Sequence, residues 1–437
     1  MSMLTRRDLF RTMLVAGLGA TGLASLTSCG DSNGTAGAVG LAASDVRRAP
    51  GALQELPAVV AAVQAFTADL YAAAAAEGTD NLVLSPYSVA IALAMTRNGA
   101  LGRTGREMDE VLHAPGIDSL NGGMNELTRR IESRAREHEL PDGETAEVAM
   151  SVASSLWGQQ DLAWEQEFLD VLAREYGAGM RLVDYVGDAE NARGLINAWT
   201  ADRTGDKIPE LVPEGVLDNL TRLVLVNAIH FKAPWDTPFE GERTVTFHLA
   251  DRTQTEIEMV SQHLSGAGYA QGDGWAAVQV PYLGRELAMT VVLADDLAAI
   301  EDRLDGELLA ALTTMHQPAA GGVNLTMPRW DFRTRLDLSA LLSELGMPTA
   351  FDAEAAELEG MTTAEADLHL THVLHEATIT VDEDGTEAAA ATGVVVGVTS
   401  APPEPPAEVV LDRPFLFVVH DVETGTPLFV GRVTDPR

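Results

Sequence analysis

Two periods of hydrophobic residues run along the chain, and the helical period prevails in its first half. Residues 57–77 read PAVVAAVQAFTADLYAAAAAE, with apolar positions at helical spacing, a proline in the first turn and Gly78 as the stop. The same spacing recurs at residues 88–98 and 191–204. These three segments are predicted to be helices.

Shorter segments rich in β-branched and aromatic residues predict strands, mainly in the second half of the chain. They lie at residues 221–229, 288–293, 323–327, 368–381, 409–410, 415–419 and 427–433. Because these strands do not alternate with helices, the pattern favours an α+β fold on a large antiparallel or mixed sheet rather than repeated βαβ units. No internal repeat is visible, so residues 55–437 are predicted to form a single domain.

The start of the chain is predicted to direct export. Residues 1–28 carry Arg6, Arg7 and Arg11 ahead of a moderately apolar segment, and residues 5–10 look like a twin-arginine signal. Residues 26–29, LTSC, are similar to the lipobox of bacterial lipoproteins, in which the cysteine, here Cys29, is acylated. Residues 29–54 are rich in glycine, alanine and serine and predict a flexible tether. We therefore expect a domain that is lipid-anchored at the extracellular face of the cell membrane, or secreted.

Charge and cysteine content exclude several classes of protein. The chain carries 65 acidic and 29 basic residues, a formal charge of -36 that opposes binding to nucleic acid. With Cys29 as the single cysteine, the chain can form neither an intrachain disulfide nor a cysteine-based metal or redox site. The 46% hydrophobic content is typical of a folded domain with a large core.

Two motifs suggest a catalytic or metal site, but the sequence around each of them argues against it. Residues 17–22, GLGATG, match a dinucleotide fingerprint but lie inside the export signal with no strand before them. His369, His372 and His375 share a predicted strand in which His372 points away from the other two, so they cannot bind one metal ion. No cofactor is expected, and the chain is not predicted to be an enzyme.

The most unusual segment is residues 383–406, EDGTEAAAATGVVVGVTSAPPEPP. Residues 386–399 contain no proline and one charge, so this half is suited to insert into a sheet as a central strand. The prolines of residues 402–406 prevent the other half from doing so. From these residues alone, an alanine-glycine-valine linker or an aggregation-prone loop stays open as an alternative.

Several motifs, in order, resemble those of the serpin family over about residues 57–436. LSPYS at residues 84–88 looks like the family's strand-to-helix start, and LVLVNAIHFKAPW at 223–235 is similar to its central signature. DRPFLF at 412–417 and LFVGRV at 428–433 match its C-terminal signature. The resemblance implies the serpin fold: a large main sheet, smaller sheets, a helical layer and an exposed reactive loop near the C-terminus, here about residues 383–408.

The resemblance further implies a suicide inhibitor of a serine protease, or of a cysteine protease. The nucleophile of the target attacks the exposed loop and forms an acyl-enzyme. Cleavage lets the loop insert as an added strand of the main sheet, which drags the protease along and distorts its active site before deacylation.

Three groups of residues acquire roles through this resemblance. The hinge that starts insertion comprises Glu383, Gly385, Thr386, Ala388, Ala389, Ala390 and Ala391. The shutter, a hydrogen-bonded cluster beneath the sheet, comprises Ser85, Ser88, Asn227 and His375. The breach, where insertion begins, comprises Trp235, Arg329 and Glu383, and the last two are candidates for an ion pair.

The reactive bond is expected between Thr399 and Ser400. This position follows from the family's usual spacing counted forward from Gly385, whereas counting back from Pro414 gives a position near Pro402. Small residues at the bond imply an elastase-like or subtilisin-like protease with a shallow specificity pocket, and argue against a trypsin-like one. The alternative scissile residues are Val398 and Ala401.

Other interpretations stay open at this point. A non-inhibitory serpin, acting as a protease substrate or as a surface binding module, would carry the same motifs. Arg129, Arg130, Arg134 and Arg136 suggest a polyanion site on one helical stretch, although a solvated helix face is the favoured interpretation in so acidic a chain. The expected partner is a target protease, with no nucleic acid, with membrane contact only through Cys29, and with the protein itself a monomer.

Overall fold

The structure, a computed structural model, describes residues 39–140, 143–315, 317–362, 364, 367–386 and 405–437. Several residues of the sequence predictions lie outside these ranges. They are Cys29 with the rest of the export signal, the hinge residues Ala388, Ala389, Ala390 and Ala391, and the reactive-bond residues Val398, Thr399, Ser400 and Ala401.

Helices cover the main sheet and include the three that the hydrophobic pattern predicts. Within the described chain they are α1 (Leu56–Ala76), α2 (Pro86–Arg97), α3 (Gly102–Val111), α4 (Ile117–Glu132), α5 (Gln166–Val171), α6 (Tyr185–Arg203), α7 (Leu297–Glu301), α8 (Gly306–Thr313) and α9 (Ser339–Leu345). Helix α1 is long and apolar enough to cross a membrane, but most of that segment is buried inside the domain. Helix α6 begins earlier than predicted, because Asp184 caps it and the non-helical Asp188 interrupts the periodic pattern.

The strands of the described residues form three sheets. They are β1 (Gly40–Ala42), β2 (Leu82–Leu84), β3 (Arg136–Glu139), β4 (Thr145–Gln159), β5 (Met180–Val183), β6 (Leu223–Pro234), β7 (Glu240–His248), β8 (Gln254–Leu264), β9 (Tyr269–Gly272), β10 (Trp275–Pro281), β11 (Leu287–Ala294), β12 (Val323–Pro328), β13 (Trp330–Asp337), β14 (His372–Val381), β15 (Gly385–Thr386), β16 (Ala407–Val410), β17 (Phe415–Asp421) and β18 (Pro427–Val433). The main sheet runs β1-β5-β4-β6-β15-β14-β13, with β3 paired to β4. The second sheet runs β2-β18-β17-β11-β10-β9, and the third runs β16-β12-β8-β7.

The main sheet is mixed, as the fold class predicts. Strands β4 and β5 are parallel, as are β6 and β14, while the other pairs are antiparallel. Both faces of β6 are buried: Leu225 and Ile229 belong to the large core, whereas Val224 and Val226 belong to a second cluster that includes Ile196 of α6. Burial on two faces explains the mostly apolar sequence of this strand. The α+β prediction, with a large main sheet, smaller sheets and a helical layer, is confirmed.

Residues 39–54 differ from the flexible tether predicted over residues 29–54. Strand β1 pairs with β5, the Ala49 N–H donates to the Arg174 carbonyl over 2.7 Å, and the Ala52 N–H donates to the Gly122 carbonyl over 2.9 Å. A Cβ at Gly51 would lie 2.4 Å from the Cα of Glu126, so glycine allows this close approach. The small residues that suggested flexibility here allow backbone contact with the domain.

Two further predictions need correction. The strand expected from residue 368 begins at His372, because the Leu370 N–H donates instead to the Ala350 carbonyl, and His369 therefore lies before the strand. The arginine-rich stretch is not one solvated helix face: α4 ends at Glu132, and Arg134 lies beyond it with its side chain only 10% exposed.

Replacing Arg48 with alanine should lower the free energy of unfolding by about 1 kcal/mol. The Arg48 Nε–H donates to Asn125 Oδ1 over 2.9 Å and an Nη lies 3.1 Å from Glu132, so the side chain fastens residues 39–54 to α4. The matched control is Arg47→Ala, since Arg47 is exposed. Urea denaturation that gives equal midpoints for the two variants would show that this fastening contributes nothing.

Candidate functional site

The boundary between β6 and β14, called the slot here, differs in strand pairing from one end to the other. Residues His372–Ala377 of β14 pair directly and in parallel with Val224–Ile229 of β6. Farther along, β15 lies between the two strands and is antiparallel to both, with Thr386 opposite Val381 of β14 and Ala233 of β6. One end of the slot therefore already contains the start of an additional strand, while the other end is closed.

Gly385 and Thr386 fit this position through size and hydrogen bonding. A Cβ at residue 385 would lie 2.3 Å from the Ala233 carbonyl oxygen, so the close approach of β15 to β6 requires glycine. Thr386 is 1% exposed, and its hydroxyl lies 2.7 Å from the hydroxyl of Tyr282. Burial raises the pKa of Tyr282 well above its usual value, so the phenol keeps its proton for this bond.

An acidic turn connects β14 to β15 and is held by Trp235. Asp382 Oδ1 accepts hydrogen bonds from the N–H groups of Asp384, over 2.9 Å, and Gly385, over 3.0 Å. The Trp235 indole N–H donates to the Asp382 carbonyl over 3.0 Å, and its backbone N–H donates to the Asp384 carbonyl over 2.9 Å. The Trp235 ring stacks on Tyr282 with centroids 4.5 Å apart. The turn is thus fixed to the C-terminal end of β6.

The ion pair expected between Arg329 and Glu383 is present. Arg329 Nε lies 2.5 Å from Glu383 Oε2, and an Nη of the same guanidinium lies 2.6 Å from Glu242. The hydrogen bond from Arg329 lowers the pKa of Glu383, whereas burial raises the pKa of Asp382 and of Asp384. The turn therefore places three carboxyl groups close together, and the Arg329 guanidinium compensates part of the charge of Glu383 and Asp382.

The four shutter residues predicted from the sequence also come together, farther along the slot. His375 Nδ1 and Asn227 Oδ1 are 2.6 Å apart across the slot, and Ser88 Oγ lies 2.7 Å from the same oxygen. The Ser85 N–H donates to His375 Nε2 over 3.1 Å. Since Nε2 accepts, Nδ1 carries the proton and donates to Asn227. Burial lowers the pKa of His375 to about 3, so the imidazole is neutral near pH 7.

Sequence reasoning missed several residues of both clusters. The Asn227 Nδ2–H donates to Ser154 Oγ over 2.9 Å, and Ser154 in turn donates to the Ser88 carbonyl. Tyr282, which directly follows β10, and Glu242 on β7 were also missed, because both lie outside the main sheet and reach Thr386 and Arg329 only in the folded chain. The alternating pattern of β4 offers a weak signal for Ser154, since it places a serine on the face that Leu156 buries.

The histidines near the shutter do not form a metal centre in the part of the chain that the structure describes, where no group of three potential metal ligands occurs. His372 Nδ1 lies 2.6 Å from Asp337, and His369 Nδ1 lies 3.0 Å from the Asp367 carbonyl oxygen. His375 instead bonds Asn227 across the slot.

Comparison with known proteins identifies the class to which this fold and slot belong. The sequence model of the serpin (serine protease inhibitor) family matches residues 61–436. The chain therefore belongs to the serpin family and is a protease inhibitor rather than an enzyme.

Individual relatives agree with this assignment. The chain is 34% identical over 366 residues to a leukocyte elastase inhibitor of Bos taurus, covering 82% of this chain and 93% of that protein. It is 32% identical to the leukocyte elastase inhibitor of Homo sapiens, covering 85% and 97%. Among solved structures, the thermophilic serpin tengpin in its native state matches with a TM-score of 0.77 at 23% identity, covering 90% of this chain and 97% of that chain. Serpin48 of Tenebrio molitor matches with a TM-score of 0.73 at 27% identity, covering 88% and 99%.

Acid should destabilise the protein partly through His375. The unfolded imidazole binds a proton below about pH 6.5, whereas the folded one stays neutral until about pH 3, so protons favour the unfolded chain between these values. The free energy of unfolding should fall by about 1.4 kcal/mol per pH unit from this group. In urea titrations, His375→Gln should lack this component, whereas replacement of the exposed His263 should keep it. An unchanged slope in His375→Gln would contradict the assignment.

Proposed function

We propose that the protein is a suicide inhibitor that traps a serine protease as a covalent acyl-enzyme through insertion of its cleaved reactive loop into the slot. The observation that carries this proposal is the position of Thr386, which is buried between β6 and β14 above a stretch where the two strands still pair directly. Insertion would extend β15 along the slot and replace one parallel boundary by two antiparallel ones.

The register of β15 supports insertion along the whole slot. Thr386 lies opposite Ala233 and Val381, so continuing the antiparallel register would bring Thr392 between Asn227 and His375. Loop insertion would therefore separate the two shutter residues, whose side chains bond directly across the slot. The hydroxyl of Thr392 offers a donor and an acceptor where that bond is lost.

The reaction at the loop would be an arrested acyl transfer. The serine hydroxyl of the protease attacks the carbonyl carbon of Thr399, the bond to the nitrogen of Ser400 breaks, and that nitrogen leaves as an amine after taking up a proton. The acyl group of Thr399 stays on the protease serine. Insertion of residues 386–399 before water hydrolyses this ester would carry the protease along with Thr399 and distort it.

The target is proposed to be an elastase-like or subtilisin-like protease. The residues flanking the expected bond, Thr399 and Ser400, are small, and so are the alternatives Val398 and Ala401. Such residues fit a shallow specificity pocket. The names of relatives, leukocyte elastase inhibitors in Bos taurus and Homo sapiens, support the same class of target.

Thr386→Arg should turn the inhibitor into a substrate. A guanidinium does not fit at a position that is 1% exposed between two strands, so insertion slows and the ester hydrolyses first. The unmodified chain and this variant are each incubated with an elastase and with a subtilisin and run on denaturing gels. The unmodified chain should form a covalent complex with the protease, whereas the variant should only be cleaved. Thr386→Ser, which keeps the hydroxyl that faces Tyr282, is the matched control and should still trap.

Two outcomes of this assay would contradict the proposal. If Thr386→Arg forms as much covalent complex as the unmodified chain, insertion does not depend on this hinge. If the unmodified chain is cleaved without forming any complex, it is a non-inhibitory serpin that acts as a substrate.

We further propose a cellular location: a bacterial lipoprotein anchored at the extracellular face of the membrane through acylated Cys29. The motif of residues 26–29 and the twin-arginine signal support it. In a bacterial host, mass spectrometry should find a diacylglyceryl group on Cys29 of the membrane fraction, and Cys29→Ser should be free of lipid. Ser28→Ala is the control that keeps the cysteine. If the protein is exported but Cys29 carries no lipid, the proposed anchor is wrong.

A further inference from the structure

An ion network joins β3 and the end of α4 to the second sheet. At its centre Arg134 lies between α4 and β3, with Nε 2.7 Å from Asp421 and the two Nη atoms 3.1 Å from Glu286 and 2.6 Å from Glu423. Asp421 is fully buried and Arg134 is 10% exposed. The buried pair is therefore poorly screened by solvent, and removal of one partner leaves an uncompensated charge.

The outer members of the network share its carboxylates. Arg136 lies 2.5 Å from Glu286, and Arg130 contacts Glu423, so each of these two acids binds two arginines. The hydrogen bond from Arg134 lowers the pKa of Glu423, which stays ionised near neutral pH. Glu423 is 57% exposed, so this arm of the network is open to screening by salt.

The network fastens one side of the slot to the second sheet. Arg136 belongs to β3, which pairs with β4, and β4 pairs with β6. The acids lie on turns of the second sheet: Glu286 precedes β11, and Asp421 and Glu423 lie where β17 turns into β18. Through these contacts β4 is tied to the second sheet by charge. The end of β6 is also tied there without charge, since the Leu283 N–H, which follows β10, donates to the Pro234 carbonyl over 2.9 Å.

The other side of the slot is fastened to the same sheet by different bonds. The Val83 N–H of β2 donates to Thr334 Oγ1 of β13 over 3.0 Å, and the Ser85 N–H donates to His375 of β14 over 3.1 Å. With both sides fixed to the second sheet, we expect the slot to widen more readily when one of these fastenings is weakened. The exposed Glu423 arm of the ionic fastening is the part that is sensitive to ionic strength.

We propose that the Arg134 network is an electrostatic latch that holds β4 and β6 against β14, with Arg134 as a positioning residue for loop insertion. The inference rests on the proposed trapping function. In this account the arginines of residues 130–136 bind carboxylates of their own chain. Salt, or loss of the Arg134 charge, weakens the latch and speeds the opening of the slot.

The test measures slot opening without any protease. A synthetic peptide of residues 386–399 is incubated with the intact full chain, and its incorporation is followed by native gel shift. At about 20 mM salt, Arg134→Gln should take up the peptide on the order of tenfold faster than the unmodified chain. In about 1 M salt the difference should shrink, because salt screens the exposed Glu423 arm, but part of it should persist, because the Arg134–Asp421 pair is buried.

Arg97→Gln is the matched control. Arg97 is also an ion-paired and mostly buried arginine, but its partner Asp109 lies on α3 and the pair does not reach the second sheet. This variant should lose thermal stability without gaining a salt-dependent rate. If Arg134→Gln does not fold, Glu423→Gln removes only the exposed arm and should accelerate uptake by a smaller factor.

The outcomes separate the latch from the trapping function. The latch is wrong if Arg134→Gln takes up the peptide at the same rate as the unmodified chain, or if Arg97→Gln accelerates uptake as much as Arg134→Gln does. Neither result contradicts insertion into the slot. Failure of every variant to incorporate the peptide at any temperature overturns insertion itself, and the latch with it.

Discussion

The burial of Thr386 between β6 and β14 is the contact on which the rest of the arrangement depends. Its hydroxyl bonds Tyr282, and its backbone pairs with both neighbouring strands. The preceding Gly385 allows β15 to approach β6 more closely than any residue with a Cβ could. An added strand is costly to begin, because ordering its first residues brings few bonds. Here the first two residues of the added strand, Gly385 and Thr386, are already paired. Insertion then only has to extend β15 along the slot in the register that these two residues set.

The slot is held shut by backbone pairing between β6 and β14 and, among largely apolar neighbours, by one polar side-chain pair. Asn227 and His375 meet across it, and both are fully buried, so neither tolerates a lost partner. Such bonds are strong while satisfied, and an entering strand that offers equivalent donors and acceptors can exchange for them. The slot therefore stays closed while these bonds are satisfied, and it opens when an entering strand replaces them.

Sequence reasoning reached the fold through hydrophobic periodicity, and it reached Asn227, His375, Gly385 and Thr386 through motifs that resemble those of the serpin family. It did not reach Tyr282, Ser154 or Glu242, whose side chains contact Thr386, Asn227 and Arg329 only in the folded chain. Residues 39–54 were misjudged for a different physical reason. Their bonds to the domain are made largely by backbone groups and by Arg48, and such contacts leave no hydrophobic period in the sequence.

The central claim is that residues following Thr386 enter between β6 and β14. A crystal structure of the protein after cleavage in the reactive loop tests it most directly. The account predicts a complete strand in the slot, with Thr392 between Asn227 and His375 and those two residues no longer bonded. A cleaved structure in which β6 and β14 keep their parallel pairing would contradict it.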